Sequence, residues 1–314
     1  MCTAIAIKYP QPIFGRTLDL EKSYGEEVVI TPSGFSFCKS KTKYSIIGIG
    51  IVKNNLPLYF DGMNEAGLWC AALNYPQFAF YVKEKAGALN IPSYSLLPYI
   101  LGNCASVEEA EKLLSGVNIT DLPFSPELKP TPLHWMLSDG KRTLVAEPDR
   151  QGLSIYDNDV GIMTNAPQFP YQRLRLCDYS GLSAAPRENS ICPDVVLNAY
   201  SRGLGAVGLP GDYSSTSRFV KAFFVSENTV STDDPISDFF HITDSISIPS
   251  GAVIAENGLP VRTVYTSCAD PSTLAYYFTT YGCRRIKSVQ LSADTHQRLV
   301  TFKLSAKEDI GRLN

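Results

Sequence analysis

The chain has only three histidines, His134, His241 and His296. That is too few for a histidine-rich metal centre, and no Cys-x-x-Cys pair supplies a thiolate one, so no metal is expected. A basic excess is also missing. The 28 Lys and Arg stand against 31 Asp and Glu, a net charge of −3, so no nucleic-acid partner is expected. No run of 18 apolar residues occurs, which argues against a membrane span. The N-terminus lacks a charged leader followed by an apolar stretch, so the expected address is cytoplasmic. In that reducing compartment the cysteines, Cys2, Cys38, Cys70, Cys104, Cys177, Cys192, Cys268 and Cys283, are expected mostly as small buried hydrophobes rather than a disulfide framework. Without a secretory route, the glycosylation pattern Asn118-Ile119-Thr120 reads as chance. Charged residues are 19%, below the usual quarter, which argues against disorder, and 44% hydrophobic residues can fill a sizeable core.

What is present is a mixture of strands and helices without a repeating βαβ beat. Strands are expected over 3–8, 134–138, 142–147, 153–156, 160–164, 274–281, 286–291 and 298–304. The glycine-bearing run 45–53 predicts a buried strand with a close neighbour on its backbone. The runs 58–60 and 67–74 flank Asp61-Gly62-Met63-Asn64 and predict a hairpin turning there. A helix is expected over 95–104, with Ser95 as N-cap and Pro98 in the first turn. Ser106-Val107-Glu108-Glu109 is a capping box opening a second helix that stops at Gly116. Further helices are expected over 170–179 and 217–225. The proline-rich stretch 123–132 reads as a long loop, because composition does not shift across it. The expectation is one α+β domain over 1–314, with layered antiparallel sheets and helices outside.

Cys2 is the sharpest chemical feature. Removal of Met1, normal before a small residue, leaves a cysteine with a free α-amine. One residue then carries both a nucleophile and a proton acceptor. Gly15-Arg16-Thr17-Leu18-Asp19 follows the first strand after the turn Tyr9-Pro10-Gln11-Pro12. A returning strand would bring Arg16 and Asp19 near the thiol, where a guanidinium favours thiolate and a carboxylate can orient the amine. The alternative is a surface Arg–Asp pair of small energetic weight.

Several motifs stand in order along the chain. They are Met1-Cys2-Thr3, Gly15-Arg16-Thr17-Leu18-Asp19, the run 61–68 with Asn74-Tyr75-Pro76, Leu133-His134-Trp135, Thr164-Asn165-Ala166-Pro167, the run 208–215 leading to Ser217-Arg218-Phe219, and Tyr265-Thr266-Ser267-Cys268. Together they resemble the choloylglycine hydrolase family of bile salt hydrolases and penicillin V acylases. The resemblance runs from residue 2 to about 305. It implies an N-terminal nucleophile hydrolase fold, a four-layer αββα sandwich of two antiparallel sheets. It also implies a cytoplasmic homotetramer without a cofactor, Cys2 as nucleophile, Arg16 and Asp19 holding and tuning it, Asn74 in the oxyanion hole, and Asn165 and Arg218 completing the site.

The chemistry stands beside the resemblance. Attack by the Cys2 thiolate on an amide carbonyl makes an oxyanion, to which Asn74 can donate; as an alternative, Asn74 caps a turn before Pro76. The α-amine would carry the thiol proton to the leaving amine. Asn165 is open to three roles: holding that amine, holding the substrate amide, or closing an Asx turn. Arg218 is either aimed inward by the preceding loop or an ordinary solvated helix arginine. His134 reads as a core or supporting histidine, since the amine already supplies the base. Leu18, Tyr24, Phe124, Leu128 and Leu133 are candidates for an apolar acyl pocket, with plain core packing the alternative. Within the family, bile salt hydrolases have asparagine at the Asn74 position and penicillin V acylases tend to an aromatic, although Tyr75 is one residue away. The expected activity is hydrolysis of glycine- or taurine-conjugated bile salts. The alternatives are cleavage of penicillin V or another N-acyl amide such as an acyl-homoserine lactone, and a catalytically silent bile-salt binder.

Overall fold

The computed structural model describes residues 1–8, 10–37, 40–292 and 298–313, so Tyr9, Cys38 and His296 lie outside the described residues. In chain order, the first elements are β1 (Cys2–Ile7), β2 (Ile13–Leu20), β3 (Glu27–Thr31), β4 (Ser36–Phe37), β5 (Ser40–Lys41), β6 (Ile46–Lys53), β7 (Leu56–Asn64), β8 (Trp69–Asn74) and β9 (Leu89–Pro92). Then come α1 (Ser93–Asn103), α2 (Val107–Leu114), β10 (Val117–Thr120), β11 (Leu133–Ser138), β12 (Thr143–Asp149), β13 (Gly152–Asp157), β14 (Ile162–Met163), α3 (Phe169–Arg175), α4 (Ser215–Asn228) and α5 (Pro235–Asp244). The chain closes with β15 (Val253–Ile254), β16 (Pro260–Asp270), β17 (Ala275–Thr280), β18 (Cys283–Gln290) and β19 (Val300–Lys303).

Two large antiparallel sheets form. One runs β14-β1-β2-β16-β17-β18, with β15 on β16; the other runs β13-β12-β11-β8-β7-β6-β3-β19. Side chains alternate across the second sheet, as a pleat requires. Val28, Ile30, Trp69, Ala71 and Leu73 join the core shared with the first sheet, while Val29, Cys70 and Ala72 pack toward α1 and α2. Helices α4 and α5 cover the far side of the first sheet, against β1, β2, β14 and β16. The result is the αββα sandwich. Full burial of each large apolar side chain between the layers contributes roughly 1.5–3 kcal/mol.

The close neighbour expected over 45–53 is β7. A Cβ on Gly48 would lie 2.2 Å from the Asp61 carbonyl oxygen and 2.6 Å from the Gly62 Cα, so neither glycine tolerates a side chain without moving the strands. The hairpin turn is displaced from its expected position. Asp61 to Asn64 belong to β7, and the turn is Asn64 to Gly67, where the Asn64 side chain accepts from the Ala66 and Leu68 N–H groups. Burial overrides turn propensity here: Asp61 is satisfied by partners from the other sheet. The first helix also differs. It starts at Ser93 after Pro92, so Ser95 lies within it and Pro98 is interior rather than in the first turn. The second helix follows its capping box: the Ser106 side chain accepts from the Glu109 N–H, and Glu109 reaches back to the Ala105 N–H at 2.9 Å.

Candidate active site

Strands β1 and β2 form the hairpin that builds the site. Cys2 pairs with Leu18 and Ala4 with Arg16 in its register. Met1 extends the ladder: its carbonyl accepts from the Asp19 N–H at 2.9 Å, and its amine donates to the Asp19 carbonyl at 2.5 Å. Arg16 and Asp19 are wholly buried, so the surface-pair alternative fails. Strand β14 flanks β1 on its other side and delivers Thr164 and Asn165 just beyond its end.

Asn165 is the junction. Its Oδ1 accepts from the Cys2 nitrogen at 2.9 Å and from Arg218 Nη2 at 2.7 Å, and its Nδ2 donates to the Asn74 carbonyl at 2.7 Å. Of the three roles open to it, the geometry matches holding the Cys2 nitrogen. Arg218 is 1% exposed, which removes the solvated-helix alternative. It donates to the Cys2 carbonyl at 2.6 Å, to Thr3 Oγ1 at 2.5 Å and to the Tyr213 carbonyl at 3.0 Å. Asp212 braces the start of α4, accepting from Ser217 Oγ at 2.7 Å and the Ser214 N–H at 2.9 Å.

Arg16 and Asp19 are held by partners from both sheets, to which the sequence alone assigns no role. Arg16 donates to the Ala72 carbonyl at 2.6 Å and the Phe60 carbonyl at 3.2 Å, both on the opposite sheet. Asp19 accepts from Thr263 Oγ1 at 2.6 Å and Thr17 Oγ1 at 3.0 Å. Asp61 is a buried carboxylate reaching from β7 to the hydroxyls of Tyr265 and Ser267, each at 2.6 Å, and of Tyr276. Burial pushes the Asp61 carboxyl above the usual range, against the pull of Arg16 and the hydroxyls. Burial opposes the Arg16 charge too, yet Cys2, Tyr265, Asp61 and Asp19 together hold its pKa above the ordinary guanidinium value. For Arg218 burial wins, lowering the pKa against Asp19 and Cys2.

Beside these groups lies a cavity of about 310 Å³ lined by Cys2, Arg16 and Asn74; Asp19, Asn165 and Arg218 do not line it. Leu18, Tyr24, Phe124, Leu128 and Leu133 all line it as well, Leu18 belonging also to the buried core. The loop 123–132 thus forms one side of the cavity, fixed partly by the edge-to-face contact of Phe124 on Tyr94. Asn74 faces the cavity; Tyr75 does not line it, and its ring stacks on buried His134 at 4.2 Å. His134 lies outside the cavity lining, between Glu147 and the Thr164 carbonyl. Among the described residues no group of three or more His, Cys, Asp and Glu side chains could hold a metal. No described helix is long and apolar enough to cross a membrane.

An αββα sandwich whose first strand opens on a buried cysteine that lines a cavity is the architecture of the N-terminal nucleophile hydrolases. The chain belongs to the linear amide C–N hydrolases of the choloylglycine hydrolase family, whose sequence profile matches residues 2–301. It is 41% identical to a bile salt hydrolase/transferase of Lactiplantibacillus plantarum, over 97% of this chain and 95% of that one. The C2A mutant of the conjugated bile acid hydrolase from Clostridium perfringens superposes with a TM-score of 0.93, at 34% identity over the whole of both chains. Penicillin V acylase from Agrobacterium tumefaciens shares the fold, with a TM-score of 0.73 at 20% identity over 93% of this chain and 86% of that one.

Proposed function

We propose that this single-domain chain hydrolyses the amide bond of glycine- or taurine-conjugated bile salts, with Cys2 as nucleophile. The observation that carries the reading is the placement of the Cys2 nitrogen 2.9 Å from Asn165 Oδ1, with Cys2 and Asn74 both lining a mainly apolar cavity. Removal of Met1 turns that nitrogen into an amine already seated on its acceptor. The Cys2 sulfur then attacks the amide carbon while its proton passes to the amine. A C–S bond forms, and the carbonyl oxygen becomes an oxyanion to which the Asn74 side-chain N–H donates. The amine returns the proton to the leaving nitrogen as the C–N bond breaks, releasing glycine or taurine. The product is a thioester on Cys2. Water attacks it, giving the free bile acid and restoring the thiol. Arg218 and Asn165 hold the main chain and nitrogen of Cys2 throughout; Arg16 and Asp19 fix charge around the sulfur.

The apolar wall of Leu18, Phe124, Leu128 and Leu133 fits a steroid acyl part. Asn74, rather than the aromatic Tyr75, facing the cavity favours bile salts over penicillin V. The names carried by full-length relatives favour the same order. The purified protein, checked by intact mass for loss of Met1, is expected to release amine from glycocholate and taurocholate faster than from penicillin V. A preference for penicillin V would reverse the assignment. The protein is further proposed to act in the cytoplasm as a homotetramer. Ile191, Val196 and Tyr200 are 88%, 81% and 88% exposed, which supports burial of that segment against another copy. Light scattering is expected to give four chains, and I191D with Y200D to give smaller species.

A further inference from the structure

Behind the two asparagines lies a buried ionisable pair that amide cleavage does not itself use. His134 and Glu147 stand on the neighbouring strands β11 and β12, with side chains 1% and 2% exposed and Nδ1 3.2 Å from Oε1. His134 Nε2 is 2.9 Å from the Thr164 carbonyl oxygen, which only accepts, so Nε2 bears hydrogen. The Glu147 carboxyl accepts from the Phe169 N–H at 3.1 and 3.2 Å. One proton therefore lies between Nδ1 and Oε1, and every bond in the chain Thr164–His134–Glu147–Phe169 is directional.

Each end of this chain abuts the site. Thr164 immediately precedes Asn165. Phe169 opens α3, whose Gln172 donates to the Asn165 carbonyl at 2.7 Å and accepts from Thr164 Oγ1 at 2.9 Å. On the other side the imidazole lies flat on Tyr75, with an interplanar angle of 6°, and Tyr75 immediately follows Asn74. The Tyr75 hydroxyl lies against Glu147 without closing a hydrogen bond to it. The two asparagines in turn meet through the bond from Asn165 Nδ2 to the Asn74 carbonyl. Stability alone does not call for this arrangement, because a buried ion pair replaced by well-packed apolar groups is often no less stable. What the pair supplies is direction, at a place that touches the neighbours of both asparagines.

We infer that the buried His134–Glu147 pair is a positioning element that sets Asn74 and Asn165 relative to each other and to Cys2. The inference rests on the amide-cleavage reading above. Its test compares H134F with E147Q at a temperature where both are folded by circular dichroism. In E147Q the amide oxygen, in the place of Oε2, accepts from Phe169 and the amide N–H, in the place of Oε1, donates to Nδ1, so one bond to each neighbour survives without the carboxylate. On glycocholate, H134F is expected to lose at least about 10-fold in kcat with KM within about 2-fold, since the acyl wall is untouched. E147Q is expected to stay within about 3-fold of the parent. Should H134F fail to fold, H134Q replaces it with the same expected split, keeping a donor for Thr164 and dropping the Glu147 bond. A kcat within 2-fold of the parent in the histidine variant, a rise in KM alone, or an E147Q as impaired as H134F overturns the inference. If the parent itself cleaves no conjugated amide, the functional reading fails separately. Crystal structures then decide the positioning role: displacement of Asn165 from the Cys2 nitrogen in the histidine variant sustains it, and an unmoved Asn165 overturns it.

Discussion

Asp61 and Arg16 offer the most quantitative test of how the two sheets hold the site. Both side chains are wholly buried, on opposite sheets, and they make no direct ion pair among the described residues. In D61N the shape is retained, and the hydroxyls of Tyr265, Ser267 and Tyr276 can rotate to suit an amide. The hydrogen-bond count is therefore recoverable, and the loss isolates the charge. A unit pair at 4 Å and an effective dielectric of 20 is worth about 4 kcal/mol, which bounds a pair lying further apart. Relief of the Asp61 desolvation works in the opposite direction. What remains is an Arg16 guanidinium buried with Nη2 unpartnered and one of its counter-charges gone, Asp19 and Cys2 still facing it. Removing one member of a buried pair characteristically costs several kcal/mol, so D61N is expected to lose about 2–4 kcal/mol.

The assay is urea unfolding of the parent, D61N, R16M and the double variant. R16M leaves the Asp61 carboxylate without its cation and is expected to cost a similar amount. The double variant is expected to be more stable than the sum of the singles predicts, by about 1–3 kcal/mol, because neither charge is left alone. Additivity within 0.5 kcal/mol, or a D61N as stable as the parent, refutes the idea that Arg16 is held by charge as well as by the Ala72 and Phe60 carbonyls. D61N is also expected to keep some turnover, since it leaves the Arg16 side chain in place, whereas R16M removes the charge beside Cys2.

Three other outcomes follow from the geometry. C2A is expected to abolish amine release while leaving the melting curve nearly unchanged, and C2S to reduce it severely; full activity in both excludes Cys2 as nucleophile. On the proposed role of Asn74, N74A removes a single donor from the oxyanion, so kcat is expected to fall about 10²–10³-fold with a smaller change in KM; an effect on KM alone points to a binding role instead. Asp212 is held near a pKa of about 2 by hydrogen bonds from Ser214 and Ser217. A carboxylate depressed in the fold stabilises it above the unfolded value near 3.9, and that contribution disappears as pH falls toward 2. D212N is therefore expected to be less stable than the parent at pH 7, by under about 1 kcal/mol because the group is exposed and screened, with the gap closing below pH 4. A gap that does not depend on pH contradicts this sign.

Much of the fold was legible because its signals are local. The alternation in β1, the apolar glycine run of β6 and the capping box of α2 each reflect a pattern within ten residues. The misplaced elements are those where distant partners outweigh local preference. Asp61-Gly62-Met63-Asn64 has the composition of a turn, yet it continues β7 because hydroxyls from β16 and β17 satisfy the Asp61 carboxylate. Strand β16 was not expected as a strand at all. Pro260 to Asp270 mixes Thr, Ser, Arg and Cys without alternation, since both its faces are buried and its hydroxyls serve Asp19 and Asp61. Helix α5 did carry a readable signal: Asp234 caps it, accepting from the Ser237 N–H, with Pro235 in the first turn.

The site shows the same division. The residues nearest the chemistry were recognisable because they recur in ordered motifs, and the short β1–β2 return made Arg16 and Asp19 neighbours of Cys2 on spacing alone. Nothing in spacing brings Asn74, Asn165 and Arg218 to that point. Their meeting depends on β14 flanking β1, on the end of β8 facing the start of β1 across the sandwich, and on the Ser214-capped start of α4 aiming Arg218 inward. The supporting roles of Thr263, Gln172, Glu147 and Asp61 were not legible for a further reason, although Asp61 stands in one of the motifs. Each of these residues acts through hydrogen bonds to partners apart in sequence, Gln172 on Asn165 seven residues away and Thr263 on Asp19 244 residues away, and a buried polar residue looks the same in sequence whether or not such a partner exists. The cavity wall was legible at the level of residue type, because an apolar acyl group demands apolar loops, while its closure by Phe124 on Tyr94 is a property of packing alone.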